Sequence, residues 1–266
     1  MLHATFMTSV KIGIQTRSLR QPLRQALATA ARLGADGVEI DARSELVPAQ
    51  LSATGLRQFR KLLEDLNLRV SAVAFPTRHG YDEPQEIERR VMATQAAMRF
   101  AYDLGCDVVI NRVGHVPEDA GDPRFSRLIE ALTMLGAYGE RVGARLAAQT
   151  GSEKPSELAR LIRALPEGTI GVDLHPSALI LNGDSPRDAV DELGPHIVHV
   201  HACDAVRDAS ARREFEVELG RGTADFPELL GRLTEFDYRG WVTIERREAA
   251  DPVADVENAV AYLRSL

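Results

Sequence analysis

Apolar and polar positions alternate along this chain in a recurring order: an amphipathic stretch, a glycine or turn, then a short apolar run. "ARLGADGVEI" (31–40) and "AYDLGCDVVI" (101–110) are two copies of one junction. "LNLRVSAVAF", "VGARLAAQT", "PEGTIGVDL", "GPHIVHVHA" and "YRGWVTIER" are looser copies, and "VKIGIQT" precedes them all. Gly34, Gly105 and Gly143 stand where a helix would end in a left-handed cap. Between the apolar runs, Phe125, Leu128, Ile129, Leu132 and Leu135 keep helical spacing. Phe226, Leu229, Leu230, Leu233 and Phe236 do the same, as do Val253, Val256, Val260 and Leu263. Each set forms one apolar stripe opposite a charged face, as a helix packed on a sheet requires. Pro84, Pro155 and Pro227 fall near predicted helix starts, and Ser185 and Asp225 are candidate N-caps.

About eight strand–helix alternations imply a parallel sheet. Eight is also the number that closes a (β/α)8 TIM barrel, and the length of 266 residues suits one. An open doubly wound sheet usually brings a glycine-rich phosphate loop after its first strand. Here the first strand runs into "QTRSLRQ" instead. The expectation is an α/β chain folded as one TIM-barrel domain over 1–266, with no low-complexity linker.

Composition narrows the function classes. The chain is 44% hydrophobic and 27% charged with a net charge of −7 and no Lys/Arg cluster. That argues against a nucleic-acid partner. No apolar run is long enough for a membrane helix. "MLHATFMTSV" lacks the basic start and apolar core of a signal peptide. Two cysteines, Cys106 and Cys203, make neither a disulfide framework nor a zinc knuckle. A cytoplasmic protein with a small-molecule ligand is the expectation.

In a barrel the chemistry lies at the C-terminal ends of the strands. The first strand ends in Gln15 and Arg17. The second presents Glu39, with Asp41 at its rim. The fourth ends at Asn111 and His115, and the fifth at Gln149. The sixth carries Asp173 and His175, the seventh His199 and His201, and the eighth Thr243 and Glu245. In the last two strands polar and apolar residues alternate, so the polar set faces the lumen. Glu39, Gln149, His175, His201 and Glu245 thus gather at one end. Asp173 and His199 lie two residues deeper. Buried together, such groups must pair, bind water or ligate something. Glu39 is a candidate base or substrate contact. Gln15, Arg17, Asn111, His115 and Arg221 (in "LGRGT") are candidate substrate contacts. Asp173 and His199 are candidate supports behind the mouth.

The segments "GVEI", "VHVHACD", "LGRGTADFPELLGRL" and "YRGWVTIE" together resemble the xylose-isomerase-like TIM barrels. That family includes sugar isomerases, ketose 3-epimerases, inosose dehydratases and endonuclease IV. The resemblance spans essentially the whole chain. It implies one divalent metal near the mouth, held by Glu, Asp, His and Glu from strands five to eight. His201 and Glu245 match that set. Gln149 stands where the family has Glu, and His175 where it has Asp. Cys203 replaces a family lysine. The implied ligands are therefore Gln149, His175, His201 and Glu245, with Glu245 doubling as an acid/base. Two imidazoles move the expected metal away from Mg²⁺, with Mn²⁺ foremost and Zn²⁺, Fe²⁺ or Co²⁺ as alternatives. A ligand set carrying one negative charge instead of three should also favour an anionic ligand.

The resemblance implies an isomerase or epimerase acting on a sugar, keto-sugar or cyclitol by enolisation next to a carbonyl. Gln149 cannot accept and return a proton, so a two-glutamate exchange needs a substitute such as Glu39 or His115. A lyase or dehydratase is therefore an alternative, and so is a sugar-binding barrel that has lost its metal. A repair nuclease fits poorly with the negative charge. Homodimers or homotetramers are common in the resembled family.

Overall fold

The computed structural model describes residues 10–208 and 213–266; the opening stretch read above for a targeting signal lies outside the described residues. The eight apolar runs all become strands. In chain order they are β1 (Lys11–Gln15), β2 (Gly37–Asp41), β3 (Arg69–Ala74), β4 (Val108–Asn111), β5 (Arg145–Gln149), β6 (Gly171–Leu174), β7 (Ile197–Ala202) and, after a hairpin, β10 (Trp241–Ile244). They close into a parallel barrel in which β1 pairs with both β2 and β10. The (β/α)8 expectation holds.

Helices α1 (Leu23–Arg32), α2 (Ala53–Asp65), α3 (Ile87–Asp103), α4 (Pro123–Val142), α5 (Pro155–Ala164), α7 (Pro186–Leu193), α8 (Phe226–Glu235) and α9 (Pro252–Ser265) return the chain to the start of the next strand. Their apolar stripes cover the barrel: Leu128, Leu132 and Leu135 of α4, and Leu229 and Leu233 of α8, are almost wholly buried. The left-handed caps are where the glycines predicted them, with φ of +82° at Gly34, +78° at Gly105 and +86° at Gly143. Ser185 and Asp225 accept the backbone N–H of Asp188 and Glu228, as N-caps do. Pro155 and Pro227 open α5 and α8, whereas Pro84 falls in the loop ahead of α3.

Two elements have no counterpart in the pattern reading. A short helix α6 (Pro176–Asn182) follows β6 at once, capped by the His175 side chain. A two-stranded antiparallel hairpin, β8 (Asp204–Asp208) and β9 (Arg213–Val217), interrupts the path from β7 to α8. Asp204 anchors its base. Its carboxylate accepts the backbone N–H groups of Gly220, Gly222 and Ala224, which sets the "LGRGTAD" loop against the barrel rim.

The lumen is polar. Ser71, Asp173, His199 and Thr243 are wholly buried inside it. Gly13 explains how they fit. A Cβ there would meet Thr243 Oγ1 at 2.5 Å and Ser71 Oγ at 2.8 Å, so only glycine leaves room for the bond between those two hydroxyls. No helix of the described residues is long and apolar enough to cross a membrane.

Candidate functional site

Side-chain alternation along β6, β7 and β10 sends Asp173, His199, His201 and Thr243 into the lumen. The deepest part is a closed network. Asp173 accepts from His199 Nδ1 at 2.8 Å, from His201 Nδ1 at 2.9 Å and from the Gln149 amide at 3.0 Å. The other nitrogen of His199 is bonded to Thr243 Oγ1 at 2.8 Å, which donates to Ser71. Burial works against charge on Asp173, but His201 and His199 outweigh it and hold its carboxyl well below the usual range.

One layer nearer the mouth, the groups converge on an opening. His201 Nε2 faces Glu39 Oε2 at 2.8 Å and Glu245 Oε2 at 3.4 Å. His175 Nε2 meets the same Glu245 oxygen at 3.0 Å. Gln15 donates to the remaining oxygen of Glu39 at 2.8 Å. Burial opposes charge on His201, yet Asp173, Glu39 and Glu245 raise its pKa well above the ordinary imidazole value. Burial likewise pushes Glu245 up, but His175 and His201 bring it well below the carboxylate range. His175 is pulled both ways. Burial lowers it, and Cys203 and Glu245 lift it to about 10. Against protonation at Nδ1 stands the Ala178 N–H, which donates to that nitrogen at 3.2 Å and favours the tautomer carrying its proton on Nε2.

His175, His201 and Glu245 offer ligand atoms within 4.8 Å of one another, and all three side chains are buried. Two imidazoles and a carboxylate suit Mn²⁺, Fe²⁺, Co²⁺ or Zn²⁺. Asp173 on the Nδ1 of His201 is the support such a ligand usually has, since it leaves Nε2 aimed at the opening. The donor set therefore fits a divalent cation that displaces the protons now held between these imidazoles and carboxylates. Glu39, His199 and His201 form a second such group. It is the poorer one, because both nitrogens of His199 are already engaged in the deep network.

The other residues singled out from the sequence divide. Gln15, Arg17, Asn111, Glu39, Gln149, His201 and Glu245 all line a cavity of about 550 Å³ at the mouth. Gln149 lies in register with Asp173, and its amide is shared between Asp173 and Arg112, whose Nε donates to Gln149 Oε1 at 3.3 Å. Arg17 is paired with Asp41 at 2.6 Å and not with Glu39. Asn111 receives the backbone N–H and hydroxyl of Thr77 on its amide oxygen and donates to Tyr81. His115 and Arg221 are exposed and do not line the cavity. Pattern reading did not place Arg112 beside Gln149, and it passed over Arg247 and the approach of Cys203. Arg247 reaches back to pair with Glu245, and Cys203 Sγ is 3.5 Å from His175 Nδ1. Both follow a site residue by two positions, so the period-two signal that found His201 and Glu245 pointed to them as well. Arg112 sits in a loop, where no period applies.

The chain belongs to the xylose isomerase-like TIM barrel family, whose model matches residues 27–266. It is similar to an uncharacterized protein of Methanocaldococcus jannaschii, 26% identical over 180 residues, 63% of this chain and 60% of that protein's length. It is similar to the inosose dehydratase of Bacillus thuringiensis (23% identical over 219 residues, 71% of this chain and 72% of that one). A putative hydroxypyruvate isomerase of Streptomyces coelicolor is 25% identical over 261 residues, 88% of each chain. The crystal structure of a xylose isomerase domain protein from Planctomyces limnophilus has the same fold, with a TM-score of 0.80 at 23% identity over 90% of this chain and 91% of that one. An L-ribulose 3-epimerase is among the relatives too, so isomerases, epimerases and dehydratases all occur around this sequence.

Proposed function

We propose that the chain is a divalent-metal-dependent enzyme acting on a sugar, keto-sugar or cyclitol, and that it isomerises or epimerises its substrate by moving a proton next to a carbonyl. The observation that carries this reading is the convergence of three ligand-bearing side chains: His201 and Glu245, which line the mouth cavity, and His175, buried behind them against Glu245. When bound there, a divalent cation, Mn²⁺ foremost, would supply Lewis acidity that polarises the carbonyl and makes the neighbouring C–H acidic.

The chain's own residues divide the remaining work. Asp173 holds the Nδ1–H of His201 and so keeps Nε2 turned toward the opening. Glu39 borders the cavity with one oxygen on Gln15 and the other on His201, and it is the base that takes the α-proton. Gln15 orients it. Gln149 holds its position with an amide and transfers no proton.

That last point favours a second reading, a lyase or dehydratase. An epimerase must remove a proton from one face and return one to the other, which calls for two matched groups. Elimination of water needs one base and one acid. The similarity to inosose dehydratase points the same way.

The test is to load the purified protein with Mn²⁺, measure its metal content, and incubate it with ketoses and inososes in D2O. Deuterium entering the carbon next to the carbonyl, seen by NMR, is the expected result. A dehydrated product instead of the exchanged sugar would select the lyase. Metal content below about a tenth of an equivalent after loading with Mn²⁺, Zn²⁺ and Fe²⁺ would leave only a sugar-binding barrel.

A further inference from the structure

Five of the side chains around the mouth cavity are arginines: Arg17, Arg20, Arg112, Arg246 and Arg247. This contrasts with a chain of net charge −7. The five differ in what holds them. Arg246 is clamped between Glu216 at 2.7 Å and Asp255 at 2.8 Å. Arg17 is spent on Asp41, and Arg247 on Glu245. Arg20 donates to the carbonyl oxygens of Arg247 and Ala249, tying the first loop to the last.

Arg112 is held differently. Its Nε donates to the neutral amide of Gln149, and among the described residues no carboxylate lies within ion-pair distance of it. The buried acid whose charge it influences, Glu153, does not offset it either. Burial pushes that carboxyl up to about 8, so at neutral pH it is protonated. A glutamate at position 149 would pair with Arg112 and cancel it. The amide takes Nε, and the exposed guanidinium keeps its charge at the rim of the cavity it lines.

We infer that the substrate carries an anionic group, a carboxylate or a phosphate, and that Arg112 reads it from the cavity wall beside Gln149. This rests on the mouth cavity being the substrate site. The planar guanidinium fork matches both oxyanions, and a charged hydrogen bond is stronger than one to a hydroxyl. Arg112 is a specificity residue. It takes no part in proton transfer.

Three ketoses that differ only at C6 test this: D-fructose (neutral), D-fructuronate (carboxylate) and D-fructose 6-phosphate. Binding to the Mn²⁺-loaded protein is measured by calorimetry. At least one anionic ketose should bind about tenfold or more tightly than D-fructose. The tighter of the two identifies the anion. Arg112→Gln should erase that preference, and Arg112→Lys, which keeps the charge and loses the fork, should keep part of it. Gln149→Glu should also erase it, because its carboxylate would pair with Arg112. Equal affinity for all three sugars, no measurable binding of either anionic one, or a preference that survives Arg112→Gln overturns the inference. Manganese content is read on the same samples, which separates the two proposals. An anion preference without bound manganese contradicts the metal-dependent reading and leaves the role of Arg112 standing. Bound manganese without a preference does the reverse.

Discussion

Two layers of the same lumen, a few ångströms apart, use the same residue types in opposite ways. In the deeper one, Asp173, His199, Thr243 and Ser71 complete each other: the carboxylate takes three donors, and each nitrogen of His199 has a partner. In the upper one, His175, His201, Glu39 and Glu245 crowd their reactive atoms around an opening that borders the cavity. The first arrangement is what a buried polar group needs to be tolerated. The second gathers like ligand atoms at one point, which burial alone does not call for. A buried histidine or carboxylate is thus not in itself a sign of a site. What distinguishes the upper layer is where its ligand atoms meet: beside the cavity, where a bound cation would replace the protons that now lie between them.

If the deep layer is structural, removing its hub should unfold more than it inactivates. Asp173→Ala strips the partners from His199, His201 and Gln149, and should cost about 3–5 kcal/mol in urea unfolding of the metal-free protein. Since folding depresses the pKa of Asp173, its contribution is present above about pH 4 and is lost as the pH falls below that. The wild type should lose stability in that window and the variant should not. A loss under about 1 kcal/mol would place Asp173 outside the structural layer.

Glu153 sharpens the contrast from the other side, because it is buried with neither oxygen hydrogen-bonded. Its folded pKa is raised to about 8, so the unfolded chain releases the proton first. Stability should therefore fall as the pH rises from about 4.5 to 8. Glu153→Gln should stabilise the protein at pH 7 by roughly 2–3 kcal/mol and have little effect at pH 4. Thermal melts at the two pH values check this, and a variant destabilised at pH 7 would mean that Glu153 has a partner in solution. The smallest effect belongs to Thr243→Val. It removes one hydroxyl bridge of the deep layer and should cost about 1–2 kcal/mol with metal content unchanged. Loss of metal in that variant would merge the two layers into one.

Much of this division was legible before any coordinates. The alternation of "IVHVHA" and "WVTIE" set His199, His201, Thr243 and Glu245 on the inner face, because a parallel barrel leaves side chains only two directions. The depth difference between Asp173 and His175 followed from the same period. Partner choice did not. That Arg17 takes Asp41, that Glu39 takes His201, and that the Gln149 amide lies between Asp173 and Arg112 depend on loop paths and strand stagger, which carry no periodic signal. The hairpin of β8 and β9 escaped for a related reason: "DAVRD" and "REFEV" are short and too charged to look like core strands. Glu153 escaped because a glutamate ahead of a helix usually points to water.

The account stands or falls on the upper layer, and manganese binding by His201→Ala, measured by elemental analysis beside the wild type after identical loading, tests it most directly. The ring of His201 joins the two layers, so its removal should also weaken the metal-free fold through Asp173 and Glu39, and a melt of each sample identifies the folded fraction. The wild type should retain close to one equivalent of Mn²⁺, and the folded variant less than about a tenth. Equal retention by the two folded proteins would contradict the assignment of His175, His201 and Glu245 as the metal's ligands.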